Sequence, residues 1–153
     1  MDTREFERVL LDQKEDLNLL KDKNFCHRAE ESLIELDSGL AQVVIGVRRS
    51  GKSTLCYNKL EAAKVNYAYV NFDDENLYGL DIKDMNNVLQ VLYSIYGDFT
   101  HLFLDEIQNI EGWHLFVNRM LRKGIHVLLT GSNSKLLSGE LASHLTGRHH
   151  TIE

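Results

Sequence analysis

The stretch QVVIGVRRSGKSTL, from Gln42 to Leu55, leaves little freedom in how the chain around it can fold. Gly46, four intervening residues, Gly51, Lys52 and Ser53 satisfy the pattern G-x-x-x-x-G-K-[ST]. Each residue type has a physical task in that pattern. The two glycines permit backbone angles that let successive N–H groups turn inward around an anion. Lys52 brings a cation to phosphate oxygens, the Ser53 hydroxyl is a ligand for Mg²⁺, and a helix starting at Lys52 adds its positive N-terminal end. The flanks agree. Val43-Val44-Ile45 has the β-branched character of a buried parallel strand, and Leu55, Leu60 and Ala63 recur at near-helical spacing afterwards. Strand, glycine loop and helix make Gly46, Val47, Arg48, Arg49, Ser50, Gly51, Lys52, Ser53 and Thr54 the candidate phosphate cradle.

A second stretch carries the complementary chemistry. In HLFLDEIQ, His101 to Gln108, a buried strand ends in Asp105 and Glu106. Asp105 is the expected partner of Ser53 around Mg²⁺, and Glu106 is placed to polarise an attacking water. Between Lys52 and Asp105 lie a strand, Tyr67 to Phe72, ending in Asp73-Asp74-Glu75, and an amphipathic helix from Ile82 to Tyr96. Carboxylates at the C-terminal end of a strand in an open parallel sheet lie near the ligand crevice, and the plainer reading of the triplet is a solvated turn. This spacer leaves room for another strand between the loop strand and the acidic strand. With Glu beside Asp, it favours water-activating hydrolases over small-molecule kinases. The guanine-specific N-K-x-D is missing, since Asn58-Lys59-Leu60-Glu61 lacks its Asp.

Further along, Trp113, Phe116, Val117, Met120 and Leu121 mark a helix with a core-facing stripe, and Ile125 to Leu129 a strand. The strand ends in Thr130-Gly131-Ser132-Asn133, where a polar side chain can meet a γ-phosphate or cap a helix. A short helix is expected over Lys135 to His144, and His149 to Glu153 starts a strand. Arg148 either neutralises charge on the γ-phosphate or forms a plain salt bridge. His144, His149 and His150 match no standard metal spacing. Upstream, Asp2 and Glu5 form a capping-box pattern before a stripe of Phe6, Val9, Leu10, Leu17 and Leu20. A second helix is expected over Arg28 to Leu36, with Ala29, Leu33, Ile34 and Leu36 inward and Gly39 after its end. The chain thus divides into a helical segment, 1–40, packed on a nucleotide core, 41–153.

Totals narrow the function classes. A net charge of −6 with no basic stripe argues against broad nucleic-acid binding. No apolar run approaches the roughly 18 residues of a membrane span. Cys26 and Cys56 have no C-x-x-C spacing, which argues against a disulfide framework or a zinc site and fits a reducing cytoplasm.

GVRRSGKST, YVNFDDE, HLFLDEIQNIEGW and LLTGSNSKLLSGELASHLTGR, in that order, resemble a family of bacterial and archaeal predicted ATPases within the AAA+-like P-loop superfamily. The resemblance covers Arg28 to Glu153. It implies an α/β, three-layer P-loop NTPase of the ASCE type, with a mostly parallel five-stranded sheet ordered 5-1-4-3-2. It implies Gly46 to Ser53 as Walker A, Asp105 and Glu106 as Walker B, and Thr130 to Asn133 as the sensor-1 region, the choice among Thr130, Ser132 and Asn133 staying open. ATP and Mg²⁺ are the implied cofactors, adenine coming from the resemblance alone. Lys52, Glu106, Thr130, Ser132 and Arg148 are the candidate catalytic residues. Family members continue into a helical lid and a C-terminal region, so a fragment of a longer chain is expected, with that region and a protein client as partners. The reading is a Mg²⁺-dependent ATP hydrolase core; the alternative is a nucleotide-dependent switch with little turnover.

Overall fold

The structure, a computed structural model, describes residues 2–19, 33–46, 51–132 and 149–152, the last four by their backbone. The expected features at Leu20, Lys21 to Asn24, Arg28 to Ser32, Val47 to Ser50, and Asn133 to Arg148 lie outside these residues. The elements run α1 (Thr3–Asn18), β1 (Ala41–Gly46), α2 (Lys52–Ala63), β2 (Tyr67–Asn71), α3 (Met85–Tyr96), β3 (His101–Asp105), α4 (Trp113–Arg122), β4 (His126–Ser132) and β5 (His149–Ile152). The strands form one sheet in the order β2-β3-β4-β1-β5, with every neighbouring pair parallel. Counted from the other edge this is 5-1-4-3-2, as the resemblance implies.

Period-two alternation along the strands divides the core in two. Val43, Ile45, Ala68, Val70, Leu102, Leu104, Val127 and Leu129 face one side, where Phe6 and Leu10 of α1, Val88 and Leu92 of α3, and Trp113 and Phe116 of α4 cover them. Val44, Tyr69, Phe103 and Leu128 face the other, against Leu55, Cys56 and Leu60 of α2 with Ile34 and Leu36. Both faces are buried, which is why these strands read as continuous apolar runs. Trp113 is wholly inaccessible, so its indole belongs to the core. Burial of each such large side chain contributes about 1.5–3 kcal/mol.

Local signals set the helix ends. Asp2 Oδ1 accepts from Glu5 N at 2.9 Å at the start of α1. Asp81 and Asp84 form a reciprocal capping box that opens the Ile82–Asp84 turn of 3₁₀ helix before α3. The helix expected to reach Leu36 does not. Glu35 N donates to the Gln42 side-chain oxygen at 3.0 Å, Ser38 N turns back to Glu35 O, and Leu33 is exposed rather than inward. A side-chain acceptor on β1 has taken the amide that a helix would use.

Candidate functional site

Residues 42, 44 and 46 of β1, 103 and 105 of β3, and 128, 130 and 132 of β4 point to the α2 side of the sheet, and their C-terminal ends meet the start of α2. Gly51 caps that helix at φ 86°, a left-handed conformation that favours glycine, and no side chain caps the first turn. A glycine at that position brings no side-chain acceptor of its own, and the start of the helix is suited to an anion.

Lys52 is only 5 % exposed, and its ammonium lies 2.6 Å from Glu106 Oε1. A buried lysine needs such a partner, because desolvation of an unpaired charge costs several kcal/mol. Glu106 reaches it from an uncommon backbone: its φ is 57°, left-handed for a non-glycine residue. That conformation costs about 1–2 kcal/mol. It is held by the Glu106 N–H, which donates to Thr130 Oγ1 at 2.9 Å. Gln108 Nε2 donates to Glu106 Oε2, and Ser132 Oγ lies 3.4 Å from the same oxygen. Burial pushes the Glu106 carboxyl up, but Gln108, Lys52 and Ser132 together outweigh it and hold it below the usual glutamate value.

Asp105 stands one residue earlier and 4 % exposed. Ser53 Oγ lies 2.9 and 2.8 Å from its two carboxylate oxygens. The Thr130 hydroxyl donates to Oδ1, and Tyr69 OH donates to Oδ2 at 3.2 Å. Burial nonetheless raises this carboxyl above the ordinary aspartate value, with the Glu106 charge adding to the rise and the three hydroxyls opposing it. A buried carboxylate short of positive charge beside a serine hydroxyl is a hard-oxygen donor set, and it fits Mg²⁺.

These groups line a cleft of about 380 Å³, with Gly51, Lys52, Ser53, Thr54, Asp105 and Glu106 among its walls. Asn71 and Asp73 complete it, so the end of β2 and the first carboxylate after it border the cleft, the crevice position expected of a strand's C-terminal end. Gly46 ends β1 beside Ser132 of β4. Thr130 is inaccessible, its hydroxyl engaged by Asp105 and the Glu106 amide, whereas Ser132 approaches the Glu106 carboxylate. Val47, Arg48, Arg49, Ser50, Asn133 and Arg148 lie outside the described residues. Tyr69 and Gln108 were not anticipated as site residues. Tyr69 was findable, because β2 pairs Asn71 with Asp105 and alternation puts Tyr69 on the same face. Gln108 follows a turn whose left-handed geometry no sequence pattern announces.

Residues 38–153 match the model of an AAA domain family. The chain belongs to that family. An AAA domain is a nucleotide-binding module of the ATPase type, within the AAA+-like P-loop superfamily. An uncharacterized protein of Methanocaldococcus jannaschii is 37% identical over 145 residues, 94% of this chain and 32% of that protein. An uncharacterized protein of Haemophilus influenzae is 35% identical over 125 residues, 76% of this chain and 31% of that protein. The AAA domain chain therefore spans about a third of these relatives' length. Among solved structures, C. elegans PCH-2 overlaps 94% of this chain and 42% of its own at 14% identity and a TM-score of 0.47. The Thermotoga maritima RuvB Holliday junction branch migration motor overlaps 92% and 44% at 20% identity, also with a TM-score of 0.47.

Proposed function

We propose that this AAA domain binds ATP with Mg²⁺ and hydrolyses the β–γ phosphate bond. The observation that carries the reading is the convergence of Ser53 on Asp105, within 2.9 Å, beside the Lys52–Glu106 pair. Ser53 and Asp105 would hold Mg²⁺, which when bound spreads the charge of the phosphate oxygens. Lys52 and the amides that open α2 bind the phosphates. Phosphate oxygens compete with Glu106 for Lys52, so nucleotide entry frees the Glu106 carboxylate to accept a proton from water. Gln108 and Ser132 then orient that carboxylate, and Thr130 fixes the backbone that carries it. Arg148 is proposed to offset γ-phosphate charge, and Arg48 and Arg49 to lie beside the phosphates.

The same ion pair favours a second reading, a switch whose state follows Lys52 moving from carboxylate to phosphate, with turnover incidental. The founding test is common to both. Calorimetry of ATP with and without Mg²⁺ should give micromolar, Mg²⁺-dependent binding that Lys52→Ala abolishes in a protein still folded by circular dichroism. Equal affinity in wild type and variant would overturn the nucleotide site.

A further inference from the structure

The α2 side of the sheet carries a second group of polar side chains at its other end. His101 and His126 open β3 and β4 as register partners, and their rings lie 4.7 Å apart between centroids. Asp37, on the turn before β1, brings its Oδ1 to 3.8 Å from His101 Nε2. One ligating atom from each of the three lies within 4.8 Å of the others. We propose that Asp37, His101 and His126 bind a transition-metal dication of the Zn²⁺ class.

The hydrogen bonds around the rings assign the tautomer of His126 and accommodate the one such a site needs at His101. The Ser38 carbonyl, an acceptor only, lies 3.0 Å from His126 Nδ1, which must therefore carry the proton. The Thr100 hydroxyl lies 2.7 Å from His101 Nδ1 and 3.3 Å from Asn66 O, so it is able to accept from an Nδ1–H while donating to that carbonyl. With His101 in that tautomer, both Nε2 lone pairs are left for a ligand and each Nδ1–H is anchored on an oxygen, the usual outer arrangement of metal-bound imidazoles. His101 is 4 % exposed, and its Nε2 is buried without a hydrogen-bond partner among the described residues. An orphaned acceptor of that kind costs about 1–3 kcal/mol unless something occupies it.

Donor type selects the ion. Two imidazoles and one carboxylate suit Zn²⁺ and its neighbours and not Mg²⁺, which prefers oxygen. Ligand atoms around tetrahedral Zn²⁺ lie about 3.3 Å apart, given bonds of about 2.0–2.1 Å. The Asp37 side chain is 95% exposed and can close the remaining gap, leaving a fourth position for water. His101 and Asp105 bound β3, so the two sites are separated by about 13 Å of strand. The ion would tie the Asp37 turn to two central strands, a role distinct from nucleotide chemistry.

The test is calorimetric titration of the EDTA-stripped chain with ZnCl₂ in excess Mg²⁺ and without nucleotide, alongside its melting curve. One Zn²⁺ per chain at micromolar or tighter affinity is expected, with a raised Tm. Asp37→Ala, an exposed change that leaves the fold intact, and His126→Asn should each weaken binding at least tenfold. The double variant His149→Ala/His150→Ala should bind as wild type does. No Zn²⁺ uptake by the folded wild type, unchanged affinity in Asp37→Ala and His126→Asn, or loss only in the His149/His150 variant would each overturn the proposal.

Discussion

Lys52 and Glu106 answer each other's charge in a site from which water is mostly excluded, and each is also what the phosphates and the attacking water would need. Removing one charge therefore has two consequences, on stability and on chemistry, and the choice of substitution separates them. Glu106→Gln keeps the size and the hydrogen-bonding oxygen of the side chain while losing its basicity. ATP affinity should hold within a few fold while turnover falls by about 10²–10⁴-fold, the ordinary range for a general base. A switch predicts instead that nucleotide-dependent output survives in Glu106→Gln. Asp105 gives the opposite stability effect. Its pKa is raised in the fold, so the ionised form is less favourable there than in the unfolded chain. Its contribution to stability is best at low pH and is lost as pH rises through the folded value, leaving a net cost at neutral pH. Asp105→Asn should then raise the Tm of the nucleotide-free protein by about 2–4 °C for each kcal/mol relieved, while abolishing the Mg²⁺ dependence of ATP binding. A fall in Tm would mean that the hydroxyls of Ser53, Thr130 and Tyr69 outweigh desolvation.

At the level of elements, the outer edge of β2 is closed by a helix instead of another strand. Gln13 of α1 accepts from Asn71 N and donates to Asn71 O, both at 2.9 Å, and donates to Asp74 at 3.0 Å. A side-chain amide here imitates a strand neighbour and satisfies an edge that would otherwise invite pairing with another chain. Gln13→Leu keeps an apolar volume but leaves a partly buried N–H without its acceptor, and should lower unfolding stability by about 0.5–1.5 kcal/mol with an unchanged denaturant slope. Gln13 was not legible beforehand, because an amide within an apolar stripe looks solvated until the strand beneath it is known. The strands were legible for the converse reason: Val43 to Ile45 and Leu102 to Leu104 are apolar on both faces because helices cover both faces. α4 was legible because Trp113, Phe116, Val117 and Met120 share one stripe. The helix expected to reach Leu36 failed on a contact from Gln42 that local periodicity does not encode. Of the site, residues named by a local pattern, Lys52, Ser53, Asp105 and Glu106, were readable. Tyr69 and Gln108 enter through tertiary geometry, and the tautomer of His126 through a hydrogen bond to the distant Ser38 carbonyl.

The whole molecule joins these parts into a single test of whether this length of chain is a sufficient nucleotide-binding unit. β1, β3 and β4 are adjacent central strands, so the Gly46, Asp105 and Ser132 strand ends at the cleft are linked by backbone hydrogen bonds. A cleft built into the sheet is disrupted only with the sheet, and ligand binding there is linked to global unfolding. At a free ATP concentration 100-fold above Kd, Mg²⁺-ATP should stabilise the fold by about 2.7 kcal/mol. For a chain of this size that corresponds to a Tm rise of about 5–10 °C. The rise should grow with the logarithm of ATP, shrink without Mg²⁺, and vanish in Lys52→Ala. Because the relatives are about three times longer, the same melt on a full-length relative distinguishes two arrangements. An equal shift means that the α/β core alone supplies the affinity. A shift present only in the longer protein means that the region beyond the core completes the pocket, and that hydrolysis belongs to the assembled chain.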